Sequence, residues 1–402
     1  MLLKICLGIL GANSPTSEVP SAQWTILIYL NGDNDLENFA LDDLRELSAI
    51  GSSEEVNLIV QLDRRTVSGT QRFRVEKDPG LRVIEELPEQ DLGDYRNLID
   101  FADWGASNFP AQHYALVIWG HGSGWKKEEL DSNIFKGISF DHSSGREIST
   151  LELGTAVRQI SENLGRPLDL LALDACLMAM AEIADLFSDS ADFMVASEEV
   201  IPGFGFPYDK IFATFGAQTD KSPRHLATTI VSEYAQSYSG GSQGTKHYSL
   251  SALDLKKFSP FKSILNAWVE SIESGSGLTQ EDLLLAAKES VAFTDPEFRD
   301  LGSYVSNIIA QANANLSTGS FYANSFALLD AIDEVVIKNL TSKKFARTRG
   351  LSIYLPYVWE DWSPWTSLNE LDRKLRSEYH NLNFSKTTPW TRHLDQVFGT
   401  LN

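Results

Sequence analysis

YALVIWGHGSG, residues Tyr114 to Gly124, is an apolar run stopped by glycines around a single histidine. A run of this kind, too short for a helix and without polar alternation, suits a strand buried on both faces. LDLLALDAC, residues Leu168 to Cys176, has the same form and ends in Asp174-Ala175-Cys176. WTILIYL, Trp24 to Leu30, is a third such run and stops at Asn31-Gly32-Asp33-Asn34-Asp35. Between them the spacing turns helical: Leu36 to Ile50 places Leu36, Phe39, Ala40, Leu44 and Leu47 on one face, and Tyr95 to Phe109, Leu151 to Asn163 and Leu177 to Phe187 behave alike. Val56 to Leu62 and Asp192 to Ser197 read as further strands. Strand–helix alternation predicts an α/β fold, a mostly parallel sheet flanked by helices. Two hairpins interrupt it, one turning at Asp78-Pro79-Gly80 and one between Ile134 and Ile148.

After about Pro207 helical patterns dominate: Arg224 to Tyr238, Phe258 to Ser274, Thr279 to Phe293 and Phe321 to Leu340. Strand-like Tyr248 to Leu253 and Leu351 to Leu355 break them. The expected organisation is an N-terminal segment over 1–22, an α/β domain over 23–210, and a helix-rich region over 211–402 that can continue the sheet through Gly350 to Pro356. The 1–22 segment reads as a weak signal peptide or a flexible start, which leaves secreted, periplasmic and cytoplasmic locations open.

The 402 residues are 43% hydrophobic and 22% charged, ordinary for a globular protein. Lys and Arg number 34 against 55 Asp and Glu, a net charge of −21. Such a surface repels a nucleic-acid backbone, so no nucleic-acid partner is expected. No apolar run reaches the roughly 18 residues of a spanning helix, so no membrane partner is expected either. Two cysteines, Cys6 and Cys176, exclude a disulfide framework. The seven histidines show no zinc-ligand spacing, and no metal ligands are assigned.

Ligands of an open parallel sheet bind beyond the carboxyl ends of its strands. Those ends deliver Asn31 to Asp35, His121, Asp174 to Cys176, and Glu198 with Glu199. Cys176 follows a strand and opens an expected helix, whose N-terminus should lower the thiol pKa and favour the thiolate. His121, freed by flanking glycines, has the pKa range of a general base. The two stand 55 residues apart, enough for one helical crossover between neighbouring parallel strands. The backbone N–H groups of Gly122 and Cys176 are the candidate oxyanion hole.

A strand ending in His-Gly followed by one ending in Asp-Ala-Cys resembles the caspase-like cysteine peptidases, and within that clan the clostripain family. The matching segments are WTILIYLNGDNDLE (Trp24 to Glu37), YALVIWGHGSGW (Tyr114 to Trp125), LDLLALDACLMAMAEIA (Leu168 to Ala184), SEEVIPGFGFPY (Ser197 to Tyr208) and GLSIYLP (Gly350 to Pro356). The resemblance implies a caspase-like fold and a cysteine endopeptidase with His121 and Cys176 as its catalytic pair. It implies protein or peptide substrates with Arg or Lys at P1, the residue before the scissile bond. Asp174 matches the family's acidic residue two positions before the nucleophile; Glu198 and Glu199 are further candidates for the S1 pocket. Some members are cleaved between the two catalytic strands, where this chain has Lys126, Lys127, Lys136 and Arg146. Some members need calcium. Asp33-Asn34-Asp35 lacks the glycine and terminal glutamate of an EF-hand loop, so no cofactor is required and Ca2+ is optional.

Two rival functions follow from the same residues. A catalytically silent relative would bind basic peptides in the same acidic pocket. A serine esterase would use Ser242 in Gly240-Gly241-Ser242-Gln243-Gly244, but that motif needs a strand before it and a helix after, and the sequence offers the reverse.

Overall fold

The apolar runs assemble into one sheet in the computed structural model, which describes residues 22–77, 81–126, 137–312, 319–356 and 377–398. The first half contributes β1 (Ala22–Gly32), β2 (Val56–Arg64), β3 (Val67–Val75), β4 (Leu81–Leu87), β5 (Ala111–Trp119), β6 (Ile138–Asp141), β7 (Arg146–Ile148), β8 (Leu168–Asp174) and β9 (Ala191–Ala196). The second contributes β10 (Ser239–Gly241), β11 (Gly244–Thr245), β12 (Ser249–Asp254), β13 (Phe298–Asp300), β14 (Val336–Thr341) and β15 (Ser352–Tyr354). Among the described residues the main sheet has nine strands in the order β14-β12-β9-β8-β5-β1-β2-β3-β4. The strands from β9 to β2 run parallel. Both margins are antiparallel.

The helices are α1 (Glu37–Ile50), α2 (Tyr95–Asn108), α3 (Thr150–Leu164), α4 (Ala181–Phe187), α5 (Tyr208–Ala217), α6 (Pro223–Tyr238), α7 (Phe258–Gly275), α8 (Gln280–Glu289), α9 (Leu301–Gln311) and α10 (Gly319–Val335), then Asn383–Thr387 and Trp390–Phe398. They cover both faces of the sheet. Strand side chains alternate, so Leu27, Tyr29, Leu116, Ile118, Leu171 and Leu173 enter one core with α2, α3, α4 and α7 to α10. Ile26, Ile28, Leu30, Val117, Trp119, Leu170 and Ala172 enter the other, with α1, α5 and α6. Each aliphatic side chain buried there contributes about 1.5–3 kcal/mol. Burial on both faces is why these strands read as continuous apolar runs. None of the described helices is long and apolar enough to cross a membrane.

The crossover from β5 to β8 sets the site. It descends through the β6–β7 hairpin into α3, whose start is fixed by a capping box: Ser149 accepts from Glu152 N while the Glu152 carboxylate accepts from Ser149 N at 3.0 Å. The chain beyond residue 210 does extend the sheet, through β12 and β14. The structure corrects the strand expected to do so. Ser352–Tyr354 pairs with β13, because Ser352 N donates to Ala179 O at 2.9 Å and draws that strand onto the loop after β8. The helix expected over Phe321 to Leu340 ends at Val335, where the next residues pair with β12. Helices α5 and α9 were not anticipated. The 1–22 segment apart from Ala22, the Asp78-Pro79-Gly80 turn, Lys127 and Lys136 lie outside the described residues.

Candidate active site

The register of the β5–β8 pair puts Trp119 opposite Asp174. His121 and Cys176 each follow two residues later. Gly120 N donates to Asp174 O at 3.2 Å, so the two loops leave the sheet side by side. A Cβ at Gly122 would lie 2.6 Å from Cys176 O and 2.9 Å from Cys176 N. Only glycine permits that approach, and the histidine loop therefore touches the cysteine backbone directly.

Cys176 is half-buried. Ile201 N donates to its Sγ at 3.3 Å. The helix expected to start at Leu177 begins at Ala181, so Cys176 does not open it. Instead Leu177 takes a left-handed φ of 64°, Leu177 N donates to Glu199 O at 3.3 Å, and Ala179 N donates to Ser197 O at 2.9 Å. Backbone held in that region is strained, a state that clusters at functional sites. Burial pushes the Cys176 thiol up to about 11, against the Ile201 N–H and with the Asp174 and Glu199 carboxylates adding to the rise. The expected lowering of the thiol pKa is thus reversed, because desolvation acts where the helix dipole does not.

His121 Nε2 lies 2.9 Å from Asp35 Oδ1. Burial draws the imidazole below its usual pKa, opposed by Asp35. The loop carrying Asp35 is anchored by asparagines: Asn31 Nδ2 donates to Ser139 O and to Ser139 Oγ, each at 3.1 Å, and Asn34 Nδ2 donates to Asn31 O at 3.2 Å and Phe140 O at 2.9 Å. Asp35 was readable in the sequence only as one of several residues at the end of β1.

Asp174 is buried beneath the cysteine. Its Oδ2 accepts from Phe206 N at 3.0 Å and Tyr208 Oη at 2.9 Å, while Oδ1 has no hydrogen-bond partner among the described residues. Burial pushes this carboxyl up to about 7. Gly205 faces it at a left-handed φ of 56°, where a Cβ would sit 2.9 Å from Oδ2. Asp43 adds a second buried carboxyl, held by Trp119 Nε1 at 2.7 Å; burial first and then the Asp174 charge raise its pKa well above the carboxylate range. The periodicity of α1 marked Leu44 and Leu47 but carried no sign that Asp43 is buried beside them.

The two glutamates follow β9, and the Glu199 charge is felt at Cys176. Glu198 is fully buried, accepting from Ser249 Oγ at 3.1 Å. Glu199 accepts from Val200 N at 2.8 Å and from Thr294 N at 3.2 Å and Oγ1. These bonds tie the loop after β9 to β12 and to the segment before β13. Ser242 sits in the β10–β11 hairpin, with no strand-to-helix turn around it. Lys126 is buried between Asp295 and Glu297, and Arg146 pairs with Asp91 at 3.2 Å.

A thiol, an imidazole held by a carboxylate, and a buried acid with a bare oxygen therefore gather at one group of strand ends. That combination suits acyl transfer on a substrate with a cationic side chain. A model of the clostripain family matches residues 28–396. Clostripain of Hathewaya histolytica is 32% identical over 219 residues, 47% of this chain and 41% of that protein, so the match spans about two fifths of that relative's length. A secreted C11 cysteine protease from Bacteroides thetaiotaomicron, solved with an irreversible peptide inhibitor, superposes with a TM-score of 0.69 at 20% identity, covering 92% of this chain and 99% of that one. An inactive zymogen C11 protease from Parabacteroides distasonis gives 0.65 at 22% identity, covering 92% and 98%. At these identities the two structures speak for the fold.

Proposed function

The chain belongs to the clostripain family of cysteine proteases, and on that premise we propose that it is an endopeptidase in which Cys176 and His121 cleave peptide bonds after Arg or Lys. The observation that carries this reading is the close approach of Gly122 to the Cys176 backbone, which brings the histidine and cysteine loops together at the ends of β5 and β8. In the resting site both groups are neutral, since burial raises the thiol and lowers the imidazole. Substrate binding lets His121 take the thiol proton as Cys176 Sγ attacks the scissile carbonyl. The N–H groups of Gly122 and Cys176 receive the oxyanion. The C–N bond breaks, and His121 gives its proton to the leaving amine. His121 then takes a proton from water, whose oxygen attacks the thioester; the C–S bond breaks to release the acid, and His121 returns the proton to Cys176 Sγ.

Asp174 supplies the S1 charge. Its bare Oδ1 is the acceptor a P1 guanidinium or ammonium would complete, a charge-assisted pair made strong by burial. Glu198 Oε1 and Glu199 Oε2 are bare as well among the described residues, but their other oxygens tie the loop after β9 to β12 and to the segment before β13, and Asp174 alone of the three stands two residues before Cys176. Protein or peptide substrates with Arg or Lys at P1 are the partners this site would take. Cys176→Ala is expected to abolish cleavage of an Arg- or Lys-containing reporter while leaving the circular dichroism spectrum unchanged. Asp174→Asn is expected to lower kcat/KM for that reporter about a hundredfold or more. Cleavage retained by Cys176→Ala would reject the mechanism; unchanged preference in Asp174→Asn would reject the pocket.

A further inference from the structure

The stretch that leads into β13 meets both catalytic loops. On the histidine side it meets Lys126, which is buried at the end of the loop that His121 begins. Lys126 Nζ lies 2.7 Å from Asp295 Oδ2 and also pairs with Glu297. The loop between His121 and Lys126 is compact. Ser123 Oγ donates to Lys126 O at 3.1 Å. Gly124, at a left-handed φ of 66°, lies so close to Phe298 that a Cβ there would come within 2.6 Å of the ring. On the cysteine side, Thr294 N donates to Glu199 Oε1 at 3.2 Å, and Glu199 O accepts from Leu177 N, next to Cys176, at 3.3 Å. The stretch is itself stiffened, since Glu297 N donates to Asp295 Oδ1 at 2.9 Å and Phe298 N to Asp295 O at 3.1 Å.

A lysine in a loop ordinarily keeps its ammonium in water, and taking it out is costly unless carboxylates meet it. A buried ion pair of this kind adds little net stability, because neutral groups of the same volume serve as well. What it supplies is a fixed place for the chain that carries it. Two groups on separate loops that act on one bond need such a fix, since a misplacement of about 1 Å costs about a hundredfold in rate. Only residues 294–298 bond to the histidine loop at Lys126 and, through Glu199, to the backbone beside Cys176. We propose that residues 294–298 are a clamp that sets His121 against Cys176, and that Lys126 is the positioning residue by which the clamp grips the histidine loop. The proposal rests on the peptidase reading above. It gives the helix-rich half of the chain a part in catalysis without a group that touches substrate.

The test compares the full chain with a triple variant, Lys126→Met with Asp295→Asn and Glu297→Gln, which keeps side-chain volume and strands no charge. Expected is a folded protein with a Tm within about 5 °C of the wild type. Its kcat for an Arg- or Lys-containing reporter is expected to fall about tenfold or more while KM stays within about twofold. Alkylation of Cys176 by iodoacetamide is expected to keep the wild-type rate, because Thr294 and Glu199 still hold the cysteine loop. Lys126→Met alone leaves two acids without their cation, and is expected to lower both kcat and Tm. Wild-type kcat in the triple variant would overturn the proposal. So would a loss of kcat matched by an equal loss of alkylation, or a fall in Tm beyond about 5 °C, since either is what a purely structural role gives. Cleavage retained by Cys176→Ala would reject the peptidase reading instead; that variant leaves Lys126 and residues 294–298 untouched, so the two failures are told apart.

Discussion

Cys176 shows how far a residue can be read from its neighbours in sequence. The Asp-Ala-Cys ending of β8 put Cys176 at a strand end, where the structure has it, but its electrostatics depend on where the next helix begins. That start lies at Ala181, because Leu177 and Ala179 pair with the loop after β9 instead of entering a helical turn. A thiol raised to about 11 has a testable signature. The rate of alkylation of free enzyme by iodoacetamide is expected to rise about tenfold per pH unit across neutral and mildly alkaline pH, since the thiolate fraction does so below the pKa. A rate that levels off near about pH 7 would mean a preformed thiolate and would contradict the burial argument. Asp35 and Asp174 differ in the same way. Asp174 was marked by its place before the cysteine. Asp35 reaches His121 across 86 residues of sequence, a contact that no local pattern encodes.

At the level of elements, the parallel core was legible because burial on both faces removes polar alternation from β1, β5 and β8. The C-terminal strands were harder. Whether Ser352–Tyr354 joins the sheet or the cysteine loop depends on long-range hydrogen bonds such as Ser352 N to Ala179 O. Glu182, in the first turn of α4, is the hinge of that packing: its Oε1 accepts from Tyr354 N and Tyr379 Oη, each at 2.9 Å. Burial pushes this carboxyl up from 4.5 to about 7. A group raised on folding adds stability that is fully present below its unfolded pKa and is lost as pH rises through its folded pKa. The Tm of the wild type relative to Glu182→Gln, which keeps an acceptor oxygen, is therefore expected to fall by about 2 °C or more between about pH 4.5 and about pH 7. Parallel melting curves across that window would refute the assignment.

Over the whole molecule, the net charge of −21 and the buried acids Asp43 and Asp174 act at different ranges. Surface charge steers a cationic peptide and is screened beyond a Debye length of about 8 Å at physiological salt; a desolvated pair at Asp174 is screened far less. Raising ionic strength is thus expected to raise KM for a basic peptide by several-fold while kcat holds, and a salt-independent KM would contradict the steering argument. Composition foretold this acidity but not its arrangement, because 55 acids offer many pairs and only the fold selects which are buried together. The central claim is that sulfur and imidazole, delivered by adjacent strands, act on one peptide bond. Its most direct measurement is mass spectrometry of the intact chain after exposure to a peptidyl chloromethyl ketone ending in arginine. The account predicts one equivalent attached at Cys176, prevented by a competing basic peptide and strongly slowed in His121→Ala. A thiol left unmodified, or label acquired at the same rate without His121, would contradict it.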